Sequence, residues 1–298
     1  MENAGYNLLQ HIQRRLVSGT MNGSTKKLVP IESVVKSPFF YRKSLFDTDT
    51  LVLAQQITLY AFGLFKMMRP PVFWSNKHGE SVELKHIADF STHLSDWTSS
   101  AILSQSTALS RAKMMTFFVR IATHCLNVNN FESAMAFALS FNSLPIDRLK
   151  HTHDKLDSKC RAQLKALKEF SSTAGDYQTY REAIQKCPQP CIPFLGLALN
   201  DLLKIERSSQ SSISDGCGRS FINFSKMIDV ASVLTKFQLF QNCAYNFPVV
   251  TAIQAKFVDF NFFTGEGDST LLERSFAMEP AESAKLGKKR SFILDLFN

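Results

Sequence analysis

Apolar residues recur at the spacing of α-helices along most of this 298-residue chain, and no alternating strand pattern of useful length interrupts them. The first helix is expected to begin at Asp47 or Asp49, because either carboxylate can accept hydrogen bonds from the free amides of a helix start. It should end at Pro70-Pro71. The segment from Ala112 to Leu126 is apolar on most faces, which indicates a central buried helix. The pattern predicts an all-α protein.

A polar segment separates two of the later helices. Ser208 to Ser220 is rich in serine and glycine, which predicts a loop, and no strand is expected anywhere in 193–234. The helices on either side of this loop should form an antiparallel pair that stands off the core. The remaining helices are expected at about 84–103, 131–141 behind a capping Asn130, 154–170, 176–186, 193–207, 224–242, 249–262 and 269–278.

Composition narrows the classes of partner. Apolar residues make up 45% of the chain and charged residues 20%, as in soluble globular proteins, and no apolar stretch approaches the roughly 20 residues of a membrane helix. A net charge of +8 favours acidic protein surfaces or anionic membranes as partners. The basic residues are scattered, with Lys288-Lys289-Arg290 as the densest run, so nucleic acid is not expected. Six scattered cysteines are typical of reduced thiols in a cytoplasmic protein, with recruitment to a membrane left open.

The sequence carries no convincing set of catalytic residues. Gly216-Cys217-Gly218 and Gly265-Glu266-Gly267 lack the strand and lysine context of a phosphate-binding loop. Cys187 and Cys191 have no second ligand pair, and His151-Thr152-His153-Asp154 has no distant third ligand, so neither predicts a metal site. We therefore expect a protein without cofactor or metal that works by binding rather than by making bonds.

Several segments, in order and at matching spacing over about 47–281, resemble the catalytic domain of the Ras-family guanine-nucleotide exchange factors, such as Son of sevenless. The resemblance implies one helical domain over 46–281, between an irregular N-terminal extension, 1–45, and a basic C-terminal tail, 282–298. The matching segments are LAQQITL from Leu53, LNVNNFES from Leu126 continuing to Asn142 and Leu149, YQTYREA from Tyr177, PCIPFLGL from Pro190 continuing to Asp201, INFSK from Ile222, and Glu279-Pro280.

The resemblance also implies a function. The chain would bind a small GTPase of the Ras, Rap or Ral type and promote release of GDP and loading of GTP, with no covalent chemistry. A protruding helical hairpin, with arms at about Pro193 to Arg207 and Asn223 to Leu234, would displace one switch segment of the GTPase. An apolar pocket would hold the other switch. A domain that keeps the fold but only binds its partner, as a scaffold, remains the alternative.

Three charges in the implied GTPase footprint depart from the family. Leu199, Leu203 and Arg207 are spaced i, i+4 and i+8 on the first arm and share one face. The family places an apolar residue at Leu203, where it blocks the magnesium site, and usually an acidic residue at Arg207. Asp89 and Asp229 stand where Son of sevenless has basic residues. The alternative for Leu203 is a buried residue that packs within the hairpin.

The implied pocket for the second switch has an apolar lining and a polar rim. Met135, Phe141 and Phe194 would line it, although each could equally be an ordinary core residue. A polar side chain at Asn142 gains nothing from burial without a partner, which favours a contact with the GTPase. The resemblance implies that Met135, Phe141, Phe194 and His151 line this pocket, with Asn142 making a polar contact. Thr92 is implied as a further GTPase contact outside the pocket.

Overall fold

The computed structural model describes residues 45–69, 81–258 and 268–280, and these residues form twelve α-helices, a short 3-10 helix and one two-stranded sheet. The predicted all-α class is confirmed. Pro70-Pro71, the Gly265-Glu266-Gly267 segment and the tail with Lys288-Lys289-Arg290 lie outside the described residues, as does nearly all of the N-terminal extension. The elements are α1 (Thr50–Met67), α2 (Val82–Leu103), α3 (Ala108–Asn127), α4 (Phe131–Asn142), α5 (Leu144–Asp147), α6 (Lys150–Asp154), α7 (Ser158–Phe170), α8 (Gln178–Lys186), α9 (Leu195–Ser208), β1 (Ser212–Ser214), β2 (Ser220–Ile222), α10 (Phe224–Gln241), α11 (Thr251–Val258) and α12 (Asp268–Met278).

The core lies where α1 to α4 pack against one another. Helix α3 contacts α1, α2, α4 and α7, which is the central position that its apolar faces predicted. Aromatic rings fill much of this space: the rings of Trp97 and Phe118 meet edge to face at 4.8 Å, and those of Tyr60 and Phe90 lie 4.7 Å apart. Each fully buried side chain of this size contributes about 1.5–3 kcal/mol to stability. No helix among the described residues meets the length and apolarity needed to cross a bilayer.

Two helix starts follow the predicted chemistry. The Asp49 carboxylate accepts hydrogen bonds from the amides of Leu51 at 2.9 Å and Val52 at 3.2 Å. The Asn130 side-chain oxygen accepts from the Ser133 amide at 3.1 Å. Such a cap is worth about 1 kcal/mol. Of the two predicted starts of α1, Asp47 and Asp49, the structure shows Asp49 as the cap. The prediction that Asn130 caps α4 is confirmed.

Glu279, in the matching segment Glu279-Pro280, joins the end of α12 to the core. One Glu279 oxygen accepts from Arg111 Nη2 at 3.0 Å and from Thr152 Oγ1 at 2.6 Å, and the other accepts from the His151 amide at 2.9 Å. Burial raises the pKa of the Glu279 carboxyl, but these hydrogen bonds outweigh it and leave the pKa below its ordinary value. The motif therefore fastens α12 to α3 and α6.

Helices α9 and α10 form a hairpin that projects from the core. They pack against each other, and the antiparallel pair β1–β2 joins their free ends. Between residues 203 and 236 only Lys226 and Val230 are buried, so most of the pair is open to solvent. The prediction of an antiparallel helix pair standing off the core is borne out by these contacts.

The prediction that 193–234 contains no strand was wrong. Ser212–Ser214 pairs with Ser220–Ile222, and Ile213 faces Phe221 across the pair. The turn is closed by the ion pair between Arg219 and Asp215, whose atoms Nε and Oδ2 lie 2.6 Å apart. Three-residue strands are too short to show the alternation by which a strand is recognised in a sequence.

Candidate functional site

A buried carboxylate fixes the base of the hairpin. Glu132 Oε2 accepts from the Leu195 amide, the first residue of α9, at 2.8 Å, and its Oε1 accepts from Ser91 Oγ of α2 at 2.7 Å. Burial raises the pKa of Glu132 to about 7, although the bonds from Leu195 and Ser91 act to lower it. The Phe194 amide donates to the Tyr180 hydroxyl at 2.9 Å. Helices α2, α4, α8 and α9 therefore meet at one point.

Two of the segments that carried the resemblance lie side by side at this base. The Ile192 carbonyl accepts from the Phe131 amide at 2.9 Å, and the Ile192 amide donates to the Asn129 carbonyl at 2.9 Å. Asn129 has a φ of 61°, a left-handed conformation that asparagine tolerates, and its side chain donates to the Pro188 carbonyl at 3.1 Å. The chain entering α9 is thus hydrogen-bonded to the start of α4.

A buried lysine fixes the free end of the hairpin. Lys226 of α10 is 2% exposed, and its Nζ lies 2.9 Å from Glu206 Oε2 of α9. The same ammonium donates to the Ser209 carbonyl at 2.8 Å and to Ser211 Oγ at 3.0 Å. Because the carbonyls at the end of α9 lack helical partners, the ammonium satisfies groups that would otherwise be unbonded. The two arms are therefore held together at their exposed ends.

Between these anchors, the first arm presents a mixed apolar and charged face. Leu203 is 49% exposed, Leu199 is half-buried and Arg207 is exposed. The alternative in which Leu203 is a buried packing residue is therefore wrong. Asp229 is exposed on the second arm. The three residues predicted to share a face of α9 all lie on this helix, with Leu203 and Arg207 exposed and Leu199 half-buried.

Two residues predicted to line an open pocket belong to the core instead. Met135 and Phe141 have no exposed surface. Helix α4 packs against α2, α3 and α7, so its apolar side chains are enclosed on several sides. In this conformation neither residue can contact a partner, and the interpretation of both as core residues is the one that fits.

The other pocket residues keep access to solvent. Phe194 is half-buried, with its ring 6.3 Å from that of Tyr180. His151 is exposed at the start of α6. Asn142 is exposed and donates from Nδ2 to Ser171 Oγ at 2.9 Å, so its side chain already has one partner within the fold.

Asp89 and Thr92 lie close to the hairpin base. Ser91, between them in sequence, is the residue that Glu132 joins to the start of α9. Asp89 is half-buried, with its carbonyl bonded to the ring of His93, and Thr92 is exposed. Glu132 of α4 thus joins this turn of α2 to the start of α9.

Comparison with known proteins identifies the fold. Residues 52–228, more than half of the chain, match the RasGEF domain family. The chain belongs to this family. The matched range contains the hairpin base, the first arm and the buried Lys226 that joins the two arms.

The RasGEF domain is similar to parts of longer proteins. It is 31% identical over 234 residues to Ras guanine nucleotide exchange factor A of Dictyostelium discoideum. The aligned region covers 76% of this chain and 38% of that protein. It is 27% identical over 303 residues to factor J of the same organism, covering 94% and 36%. A Ras guanine nucleotide exchange factor of Schizosaccharomyces pombe is 28% identical over 234 residues, covering 77% and 23%. The chain therefore spans between about a quarter and two fifths of the length of these relatives.

Sequence reasoning missed both anchors of the RasGEF hairpin. Lys226 lies in the INFSK segment and Glu132 in the LNVNNFES segment, and neither residue has a role of its own in the predictions from sequence. A lone charged residue in an apolar segment is the signal that could have drawn attention to each, because charges are rarely buried without a partner. In the part of the chain that the structure describes, no group of three or more His, Cys, Asp or Glu side chains is arranged to hold a metal ion.

Proposed function

We propose that this RasGEF domain binds a Ras-family small GTPase and promotes release of GDP and loading of GTP, with the α9–α10 hairpin as the acting element. The observation that carries the proposal is Leu203, which is 49% exposed on a hairpin whose two ends are both fixed. An exposed leucine on an element fixed at both ends is suited to insertion into a partner, since its side chain gains free energy when it leaves water and the fixed element needs little reordering on binding.

Linkage explains how binding alone exchanges a nucleotide. A GTPase that holds its nucleotide at about picomolar affinity has roughly 16 kcal/mol of binding free energy, which no protein interface removes outright. The RasGEF domain instead favours the nucleotide-free GTPase, so that the two ligands weaken each other by the same factor. Leu203 would occupy the magnesium site, and whichever nucleotide is abundant then enters and displaces the RasGEF domain.

The charges of the binding face bear on which GTPase is bound. Arg207, Asp89 and Asp229 all differ in sign from Son of sevenless, and like charges across an interface disfavour a wrong partner. An exposed Arg207 would approach a phosphate loop that already carries a lysine. We therefore propose a GTPase of the Ras, Rap or Ral type whose surface compensates these charges.

Arg207 also supports the second candidate function, a scaffold that binds a GTPase without exchange. The family's usual acidic residue at this position imitates phosphate, and an exposed arginine cannot do so. In that case the hairpin would still bind, but it would leave the affinity for GDP unchanged.

The test is release of a fluorescent GDP analogue from a panel of Ras-, Rap-, Ral- and Rho-type GTPases at micromolar RasGEF domain. We expect accelerated release from at least one Ras-family member and none from the Rho type. Spontaneous rates throughout the panel would refute exchange. If a co-sedimentation assay then detects binding, the scaffold function takes its place.

A further inference from the structure

The turn that precedes α8 has an unusual backbone. Gly175, Asp176 and Tyr177 have φ values of 59°, 56° and 63°, so three successive residues are left-handed. Glycine adopts this conformation freely, but the other two residues do so at a cost in backbone strain. Such a turn persists only where the surrounding contacts hold it, and those contacts come from α8 and from the hairpin.

Four charged residues connect this turn to the first hairpin arm. Arg181 of α8 donates from Nη1 and Nη2 to the two Asp201 carboxylate oxygens of α9, at 2.9 and 2.8 Å. Its Nε donates to the Asp176 carbonyl at 2.8 Å, and Nη2 donates to the Asp176 carboxylate at 3.0 Å. Lys204 Nζ of α9 lies 2.9 and 3.0 Å from the Asp176 oxygens. We call Asp176, Arg181, Asp201 and Lys204 the hairpin brace.

The two brace residues of α9 flank Leu203. Asp201 and Lys204 are three residues apart. Leu202, which lies between them next to Leu203, is the last buried residue of the first arm. The brace therefore fixes the helical turn from which Leu203 projects.

The other end of the brace is fixed to the core. Tyr180, next to Arg181 in α8, is 4% exposed, and its ring lies 5.7 Å from that of Phe170 and 5.9 Å from that of Phe131. A bidentate arginine–carboxylate pair has a defined geometry as well as a favourable energy. The brace therefore links the first hairpin arm to α8, which is itself packed against the core.

Apolar packing does not fix the hairpin angle by itself at this point. A cavity of about 400 Å³, bordered by Ile184 of α8, Leu197 of α9 and Phe237 of α10, lies beside the brace. Side chains do not fill this space, so apolar contacts between α8 and α9 are incomplete here. The charged contacts add to the packing of Leu197 and Leu202 in opposing a tilt of the arm toward α8.

We propose that the hairpin brace sets the angle of the first arm and with it the rate of nucleotide exchange, so that Asp176 and Arg181 are positioning residues rather than GTPase contacts. This inference rests on the proposed function. In the proposed function, the GTPase is bound by the residues that correspond to the GTPase contacts of Son of sevenless. The brace instead lies on the side of α9 that faces α8. Its loss should slow the step after binding and leave the affinity for the GTPase nearly unchanged.

Raising the salt concentration should weaken the charged contacts of the brace, as mutation of one of its residues would. The side chains of Arg181 and Asp201 are 33% and 27% exposed, and those of Lys204 and Asp176 are 50% and 54% exposed. Charges this accessible are screened as the Debye length falls from about 10 Å at 0.1 M salt to about 3 Å at 1 M. High salt should therefore loosen the arm of the wild type and have less effect on a variant without the brace.

The test compares Arg181→Gln with Arg161→Gln, which removes the same charge from the exposed surface of α7. Hydrogen exchange of the α9 amides should become roughly tenfold faster in Arg181→Gln alone, because local opening is no longer opposed by the brace. The maximal rate of GDP release should fall about tenfold at an unchanged half-saturating GTPase concentration, the pattern of a lost interaction that acts after binding. Arg181→Lys, which keeps one charged contact, should recover part of both effects.

The hydrogen-exchange measurement needs no GTPase, so it separates this inference from the proposed function. If the wild type releases no GDP, the proposed function fails, and unchanged α9 exchange in Arg181→Gln would still overturn the brace. A change only in the half-saturating concentration would assign Arg181 to direct contact and also overturn the inference. If Arg181→Gln does not fold, Asp176→Asn replaces it, since this change removes the charge that pairs with Lys204 and Arg181 but keeps the Arg181–Asp201 pair.

Discussion

Replacing Glu132 by glutamine should make the protein more stable at neutral pH and leave its stability nearly unchanged in acid. Glu132 is 4% exposed at the hairpin base, where it accepts from Leu195 and Ser91. Glutamine has the shape of a protonated glutamic acid and keeps one carbonyl acceptor. Its amide group can donate to the Ser91 hydroxyl, so the contacts of the protonated state are preserved.

The size of the expected gain in stability follows from the pKa of Glu132. Burial raises the pKa of Glu132 from its ordinary 4.5 to about 7, so the folded protein binds this proton more tightly than the unfolded chain does. Its stabilising contribution is fully present below about pH 4.5 and is lost as the pH rises through 7. The difference in pKa corresponds to about 3 kcal/mol. Glutamine does not ionise, so its stability relative to wild type should rise by up to that amount between pH 4.5 and 8.

Urea unfolding at several pH values between 5 and 8 measures this difference. The control is Glu169→Gln, which changes an exposed glutamate of α7 that pairs only loosely with Lys165 at 3.8 Å. Its stability relative to wild type should vary far less with pH. A Glu132→Gln variant that is equally or more destabilised at pH 8 than at pH 5 would refute the reasoning, because Glu132 would then be stabilising as a carboxylate.

Three further predictions concern the hairpin and its neighbours. Leu203→Ala and Asn142→Ala should each slow GDP release at least tenfold, and the melting temperature should hardly change, because exposed leucines contribute far less than the 2–5 kcal/mol of a core leucine. A large fall in melting temperature would show that the residue is structural. Arg207→Glu should speed release from ordinary Ras, most clearly at low salt, and an already fast wild type with no change in the variant would place Arg207 outside the footprint. Lys226→Met should lower the free energy of unfolding by about 2 kcal/mol, because it leaves the Ser209 carbonyl and the Glu206 carboxylate without their buried partner. Hydrogen exchange of residues 206–226 should become faster, and unchanged exchange there would contradict the role of Lys226.

Helix positions could be predicted from the sequence because they depend on local signals. Asp49 and Asn130 are capping residues, and the apolar faces of α3 require burial on most sides, so the sequence nearby contains the information. The hairpin arms were found within a few residues for the same reason: a proline opens the first, and a serine- and glycine-rich segment ends it.

The details of the site depend on contacts between distant segments, which no local pattern shows. Glu132 meets Leu195, 63 residues away, and Arg181 meets Asp201 across two helices. The burial of Met135 depends on which helices surround α4. A resemblance to a family can suggest a role for such a residue, but only the packing of this chain decides whether the side chain reaches solvent.

A titration tests most directly whether the RasGEF domain and GDP weaken each other's binding to the GTPase. The affinity of the RasGEF domain for one Ras-family GTPase is measured by interferometry with the GTPase nucleotide-free and then with increasing GDP. We expect tight binding without nucleotide and dissociation of the complex as GDP is added, since the two ligands must weaken each other equally. A complex of the same affinity with and without GDP would contradict it.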